Sequence, residues 1–533
     1  MGLYEVLYSI RFTDVKAEKV KMAIAGSNTR TENGKRNIAA AMLNRVILIV
    51  LPFAARSVML MTLGKSYLGL GSLFTSILMV LNLSELGFGS ALVYSMYKPV
   101  ADNDVKKINA LLNLYRKIYR IIGVGVLIIG LCLVPFLPYI IKDGYPSDIN
   151  IYILFVVYLI NASVSYFLFA YKRALLTAYQ KVSVISNINT VLTIVTNAAQ
   201  ILILITIKNY YAYVIVYPLI SITQNLIIAR ITNKVYPNLE CDGNVSKEEK
   251  DAIKKHVKGI ALQKFCSTSR NSFDSIVISM YLGLVSIGIY NNYFLIISSI
   301  HAFLYQIPNA IRASVGNSIA LESVEKNFND FKKFSFIYFW VSAWFCVCLL
   351  CLFQPFMKLW MGQDMLLPFS SVILFCIYFL ELCMSDIISL YKDAAGLWWH
   401  GRYRTVIEAV ANLILNFVLG RFWGINGIIF ASVITMLLIG FGYGGYIVFH
   451  HYFSSFSIKR YFLTLFGFVL TTSTACAATY YLCMLIPLEG VLLVSCRTVV
   501  CLILPNALMW FIYHRTTIFK SSLAFAIKVV KKK

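Results

Sequence analysis

Fourteen apolar runs of about twenty residues follow one another along a chain of 533 residues, and they restrict its fold more than any other feature. As a helix, such a run crosses a hydrocarbon core ~30 Å thick. Inside that core only helices and closed barrels satisfy every backbone polar group. The runs are long and continuous, not ten-residue alternations, which excludes a barrel. An all-α polytopic membrane protein is therefore expected. Composition agrees, with 59% apolar residues, 14% charged residues and a mean hydropathy of +0.73, far from the usage of soluble domains.

The first six runs cover 38–63, 68–93, 119–141, 150–172, 182–207 and 211–231. After a charged gap come 258–281, 284–308, 334–354, 368–391, 404–420 and 424–448, and a last pair covers 461–486 and 490–513. The expected organisation is a cytoplasmic tail over 1–37, a first lobe over 38–235, a cytoplasmic linker over 236–257, a second lobe over 258–450, two further helices over 451–513 and a basic cytoplasmic tail over 514–533. Two six-helix lobes related by a pseudo-two-fold axis would face each other across a central cavity.

Lysine and arginine in alternate loops set the orientation. One side holds Lys98, Lys106, Lys107, Arg116, Lys117, Lys172, Arg173, Lys181 and the basic residues before the first run, whereas the other holds isolated Lys65, Lys142, Lys208, Lys358 and Arg421. Both termini are expected in the cytoplasm. The formal charge of +24 then reports topology; spread over many short loops, it forms no single basic face for nucleic acid. The first 37 residues are polar and lack an apolar core with a cleavage site, so they do not read as a signal peptide. Cys346, Cys348 and Cys351 fall in an unbroken apolar stretch without histidine, where thiols are expected to pack as small hydrophobes and not to hold metal. No cofactor is expected.

The two six-run halves match weakly at an offset of about 220 residues: Tyr171 and Lys172 correspond to Tyr391 and Lys392, Pro138 to Pro355, and Arg45 to Lys264. With an even number of runs each, the halves are parallel repeats, the arrangement that alternating access uses.

Charged residues inside the runs are the candidate site, because a charge in hydrocarbon costs at least ~2.5–3.5 kcal/mol. Arg45 and Arg56 are eleven residues apart, three turns plus about 20°, so they share one helix face about 16 Å apart along the axis. Lys264, Arg270 and Asp274 interrupt the corresponding run of the second half, Arg270 and Asp274 at i,i+4 spacing. Guanidinium groups grip a diphosphate with paired hydrogen bonds, so a cavity lined by Arg45, Arg56, Lys264 and Arg270 would attract a dianionic headgroup. The alternatives are snorkelling for Arg45, an interhelical pair, for instance with Glu85, for Arg56, and a structural salt bridge with Asp274 for Arg270. Asp274, Glu85 and Glu381 are the acidic candidates for ion coupling or gating. Glu381 and Asp386 point about 140° apart on a helix and are not expected to act as a pair.

The segment from "RTENGKRNIAAAMLNRV" to "YSMYKPVADND" (30–104), then "FDSIVISMYLGLVSIGIYNNYFLI" (273–296) and "ASVGNSIALES" (313–323), resembles the Wzx-like polysaccharide-biosynthesis flippases. These belong to the superfamily of multidrug, oligosaccharidyl-lipid and polysaccharide exporters. The resemblance implies flipping of undecaprenyl-diphosphate-linked oligosaccharide across the cytoplasmic membrane for capsule, O-antigen or exopolysaccharide synthesis. It also implies a cationic cavity, in which Arg56 and Arg270 would hold the diphosphate and Arg45 and Lys264 would draw the headgroup in from the cytoplasmic side, with membrane lipids as surroundings and polysaccharide polymerase and chain-length proteins as partners. The last two helices resemble those of the lipid II flippase of the same superfamily, which implies a groove for the polyprenyl tail. Two other functions stay open. An ion-coupled small-molecule antiporter would favour acidic over basic cavity residues, and a membrane glycan polymerase would need larger outer loops than those holding Asp143, Asp148 and Asp364. No nucleotide-binding motif is present, so no ATP hydrolysis is expected.

Overall fold

The computed structural model describes residues 50–82, 88–179, 181–397, 400–401 and 403–531, and for 258–271 it describes the helical course alone. The described residues are helical apart from short connections. In chain order the helices are α1 (Val50–Thr62), α2 (Lys65–Leu81), α3 (Phe88–Ala101), α4 (Val105–Leu133), α5 (Ile151–Phe167), α6 (Ala170–Ala178), α7 (Val182–Thr206), α8 (Tyr210–Val235) and α9 (Lys247–Leu304). Then come α10 (Gln306–Leu321), α11 (Val324–Met361), α12 (Phe369–Ala394), α13 (Arg404–Thr435), α14 (Gly444–His451), α15 (Ile458–Met484), α16 (Gly490–Tyr513) and α17 (Thr517–Lys531).

Starts are set by local side chains. Asp104, Asn150, Asn209, Ser246, Ser323 and Ser457 each accept a hydrogen bond from a first-turn amide of α4, α5, α8, α9, α11 and α15, a cap that contributes about 1 kcal/mol each. Nine helical stretches have the length and apolarity of a span, ten if α5 and α6, bent by 52°, count as one. The bend follows Phe169, which takes a left-handed φ of 52°.

Two of these stretches are hairpins. Tyr290 on α9 hydrogen-bonds Asp274, sixteen residues earlier, at 2.9 Å, whereas a straight helix would hold them about 24 Å apart. The chain folds back at Gly283, whose φ of 78° suits glycine because no Cβ clashes there. In α13, Asn412 hydrogen-bonds Ser432 at 3.1 Å across a reversal at Gly424, φ 57°. The runs at 258–281 and 284–308, and those at 404–420 and 424–448, are thus the limbs of two tight hairpins.

Several boundaries differ from the sequence expectation. Within the run at 68–93 the described helices are α2, which ends at Leu81, and α3, which begins at Phe88; residues 83–87 lie outside the described residues. The helix of α9 starts at Lys247, so the linker's second half continues directly into a span. The tail beyond 514 contains α17, whose Phe519 and Phe525 pack on Trp340 and Phe334 of α11 at ring distances of 5.6 and 5.4 Å. After α13 the chain forms a π-helical stretch, Met436–Tyr443, before α14.

Packing follows chain order within each half. α5 packs on α4 and α8; α11 packs on α12, α15 and α16. The halves meet chiefly where α9 crosses α2. There Gly69 approaches so closely that a Cβ would lie 1.9 Å from the Leu284 carbonyl oxygen. Large apolar side chains such as Leu463, Phe466, Leu492 and Phe511 are exposed; on a chain this apolar they face lipid.

Candidate functional site

Arg56 sits midway along α1, partly buried, and its Nη1 donates to Asn292 Oδ1 on the second limb of α9 at 2.6 Å. The bond joins the first half of the chain to the second. Asn292 is its single hydrogen-bond acceptor among the described residues, and no described carboxylate lies in ion-pair reach. A guanidinium has five N–H donors, and among the described residues most of them have no acceptor. Tyr213 and Tyr217 of α8 lie near enough to act on Arg56 electrostatically. They belong to a phenol cluster in which Tyr213 and Tyr217 hydroxyls are 3.2 Å apart, Tyr158 and Tyr210 hydroxyls 3.1 Å apart, and Tyr210 donates to the Tyr67 carbonyl at 3.2 Å.

The "YNNY" segment at 290–293 ties this region together. Tyr290 donates to Asp274, Asn291 to Ser275 Oγ at 3.3 Å, Asn292 accepts from Arg56, and Tyr293 donates to Gln354 Oε1 at 2.7 Å. Four successive residues thus connect both limbs of α9 with α1 and α11.

Asp274 is the second element. It is buried, and it accepts from Tyr290, from Asn416 Nδ2 at 2.6 Å and from Ser432 Oγ at 3.3 Å. Asn412 adjoins this group, 3.2 Å from Asn416 and 3.5 Å from Thr435. The Oδ1 of Asn416 is buried without a hydrogen bond, an unusual state for an interior acceptor. Four helical limbs therefore converge a carboxylate, two amides and three hydroxyls, an oxygen-rich set that suits a small hard cation.

The remaining expected residues fall elsewhere. Arg45 and Glu85 lie outside the described residues, so the Arg45–Arg56 stripe and an Arg56–Glu85 pair cannot be placed. Lys264 and Arg270 lie on α9 where only the helical course is described. Glu381 is buried on α12. Asp386 is bound to other partners, His301 Nε2 at 3.0 Å and the Tyr338 hydroxyl at 2.7 Å. Asn292, Asn416 and Ser432 carry no charge, so nothing in a single sequence singles them out; their signal is position, within the segment that bore the family resemblance or opposite Asp274 across a hairpin.

At the end read as outer from loop charge, the halves touch. Trp360 of α11 donates to Ser57 Oγ at 2.8 Å and lies 4.5 Å from the Phe53 ring, Lys65 pairs with Asp364 at 3.0 Å, and Lys142 donates to the Tyr281 carbonyl at 2.7 Å. Asp148 accepts from the Tyr67 hydroxyl at 2.5 Å. Asp148 and Asp364, two of the loop carboxylates that a polymerase would need, thus hold helix ends together.

No protein-family profile matches the chain, and no curated relative matches it. Solved structures do. The lipid II flippase MurJ in an inward closed conformation is 15% identical, with a TM-score of 0.66 over 89% of this chain and 98% of that one. A multidrug-resistance MATE transporter of the MOP superfamily in an inward-facing conformation is 14% identical, with a TM-score of 0.56 over 75% of this chain and 93% of that one. A MOP superfamily transporter from Pyrococcus furiosus, described by a reverse polarity of its binding pocket, is 14% identical, with a TM-score of 0.50 over 76% and 92%. The chain thus shares the fold of the membrane flippases and transporters of the MOP superfamily.

Proposed function

We propose that the chain flips a polyprenyl-diphosphate-linked oligosaccharide, undecaprenyl in a bacterial cytoplasmic membrane, by alternating access between its two halves. One observation carries this reading: Arg56 is held at the junction of the halves by a neutral amide, with no described carboxylate to neutralise it. An unpaired guanidinium in a membrane protein is costly, and a diphosphate supplies the charge and the bidentate acceptors it lacks. The neighbouring tyrosines add hydroxyls and apolar ring faces, chemistry suited to sugars as well as to lipid. An antiporter for organic cations is favoured less, because Arg56 would repel its substrate.

Asp274 is the residue we assign to coupling. Its carboxylate, with Asn412, Asn416 Oδ1, Ser432 and Thr435, would hold a small cation where the first limb of α9 meets α13. Binding there would bias the position of α9, which also carries Asn292.

Two variants test the two parts separately. In detergent, Arg56→Ala should weaken binding of a polyprenyl diphosphate at least tenfold relative to the polyprenyl alcohol, with an unchanged melting midpoint. Equal loss for both lipids would assign Arg56 a packing role. Asp274→Asn should keep diphosphate binding but abolish any dependence of flipping on the cation gradient; a gradient dependence that survives would move coupling elsewhere.

A further inference from the structure

The sequence spreads its cysteines widely, and the fold gathers many of them on helices that pack against α11. Cys351 of α11, Cys483 of α15 and Cys501 of α16 are all fully buried, and their sulfurs lie within 4.8 Å of one another. Cys348 precedes Cys351 by three residues on the same face of α11, and its Sγ lies 4.0 Å from the Cys501 carbonyl oxygen. Three thiols from three helices thus meet, and Cys348, beside the Cys501 carbonyl, stands in C-x-x-C spacing with Cys351, a spacing common at zinc sites.

A second observation separates this cluster from ordinary packing of small hydrophobes. Arg497, one turn before Cys501 on α16, turns into the same region. Its Nη1 donates to the Cys351 carbonyl at 3.4 Å, its Nη2 lies 3.9 Å from the Met484 sulfur, and its Nε is buried without a hydrogen bond. Among the described residues no carboxylate pairs with it. A cation among sulfurs and carbonyls inside an apolar bundle needs a countercharge. A zinc ion with three or four thiolates carries a net charge of −1 or −2, and it would provide one.

We propose that Cys351, Cys483 and Cys501, with Cys348 as fourth ligand, bind one zinc ion that fastens the α15–α16 pair to α11. Four sulfurs about 2.3 Å from a tetrahedral zinc are about 3.8 Å apart, so Cys351, Cys483 and Cys501, already within 4.8 Å of one another, need only small side-chain rotations to close on the ion, and Cys348 swings in from beside the Cys501 carbonyl. Each thiol releases its proton on binding, so affinity falls as pH is lowered. The site is independent of the flippase reading, because it fixes the last two helices and touches neither Arg56 nor Asp274.

The test uses the full chain, purified in detergent under reducing conditions and stripped with a chelator. Cobalt(II) should produce the absorption of a tetrahedral thiolate complex, saturating at one equivalent and displaced by zinc. Zinc should stay bound at one equivalent per chain, counted by elemental analysis after desalting. Cys483→Ser with Cys501→Ser should lose the cobalt spectrum, and Cys496→Ser, at an exposed thiol, should keep it. Should the double variant fail to fold, the zinc count and the cobalt spectrum of the native chain decide alone. The proposal is overturned if cobalt gives no thiolate spectrum while the thiols are fully reduced, if the desalted native chain retains no zinc, or if the spectrum survives in the double variant.

Discussion

Arg56 donates to Asn292, an amide that fixes the guanidinium without neutralising it. That difference between an amide and a carboxylate gives a sharp prediction. Asn292→Asp keeps the size and the hydrogen bond but creates an ion pair, so Arg56 would no longer need an external anion. Flipping should fall at least tenfold with the protein amount and melting midpoint kept or raised, whereas Asn292→Ala should retain more activity than Asn292→Asp. The reverse order, measured as flipped substrate per protein, would show that the amide serves packing alone. At this scale the sequence was partly legible. Arg56 and Asp274 stand out as charges in apolar runs, because a charge in hydrocarbon demands a reason. Their partners Asn292, Asn416 and Ser432 do not stand out, since uncharged polar residues also occur between membrane helices as ordinary hydrogen-bonding groups. The cysteine cluster was hidden for another reason: Cys351 and Cys501 are separated by 150 residues of sequence, and no local spacing signals that α16 returns to α11.

Among the elements, the crossing of α2 and α9 governs how the halves meet. Gly69 gives α2 a surface on which the Leu284 backbone rests directly. A methyl group there must push the helices apart, an overpacking that costs about 1–3 kcal/mol. Gly69→Ala should therefore lower the melting midpoint by several degrees and raise labelling of a cysteine placed at Ser57, beside Trp360, from the outer side. Unchanged stability and labelling would mean that α2 and α9 are free to slide. The hairpins were legible as breaks, because Gly283 and Gly424 lie between or at the edges of apolar runs. Their tightness was not: apolarity marks where a chain crosses hydrocarbon but not how its limbs pair. The end of α2 at Leu81, the amphipathic α17 and the π-helical stretch at Met436–Tyr443 escaped for the same reason, since hydropathy is blind to local backbone geometry.

On the scale of the whole molecule, the halves touch at one end through Trp360, Phe53, Lys65 and Asp364. The Lys65–Asp364 pair is largely exposed on the aspartate side, 81%, and an exposed ion pair contributes about 0–1 kcal/mol. The pair therefore adds little to this contact, which rests mainly on packing between the helices. The fold class was readable from hydropathy alone, because the bilayer leaves few alternatives to helices. The substrate was not, because two transporters with this fold can carry chemically different cargo. Leaflet-resolved measurement of the undecaprenyl-diphosphate-linked oligosaccharide in cells addresses that point directly. Cells lacking the protein, and cells carrying Arg56→Ala at normal abundance, should both accumulate the linked glycan in the cytoplasmic leaflet, while cells with the native chain should not. Glycan crossing normally without the protein would contradict the account, and normal crossing with the variant would remove Arg56 from it.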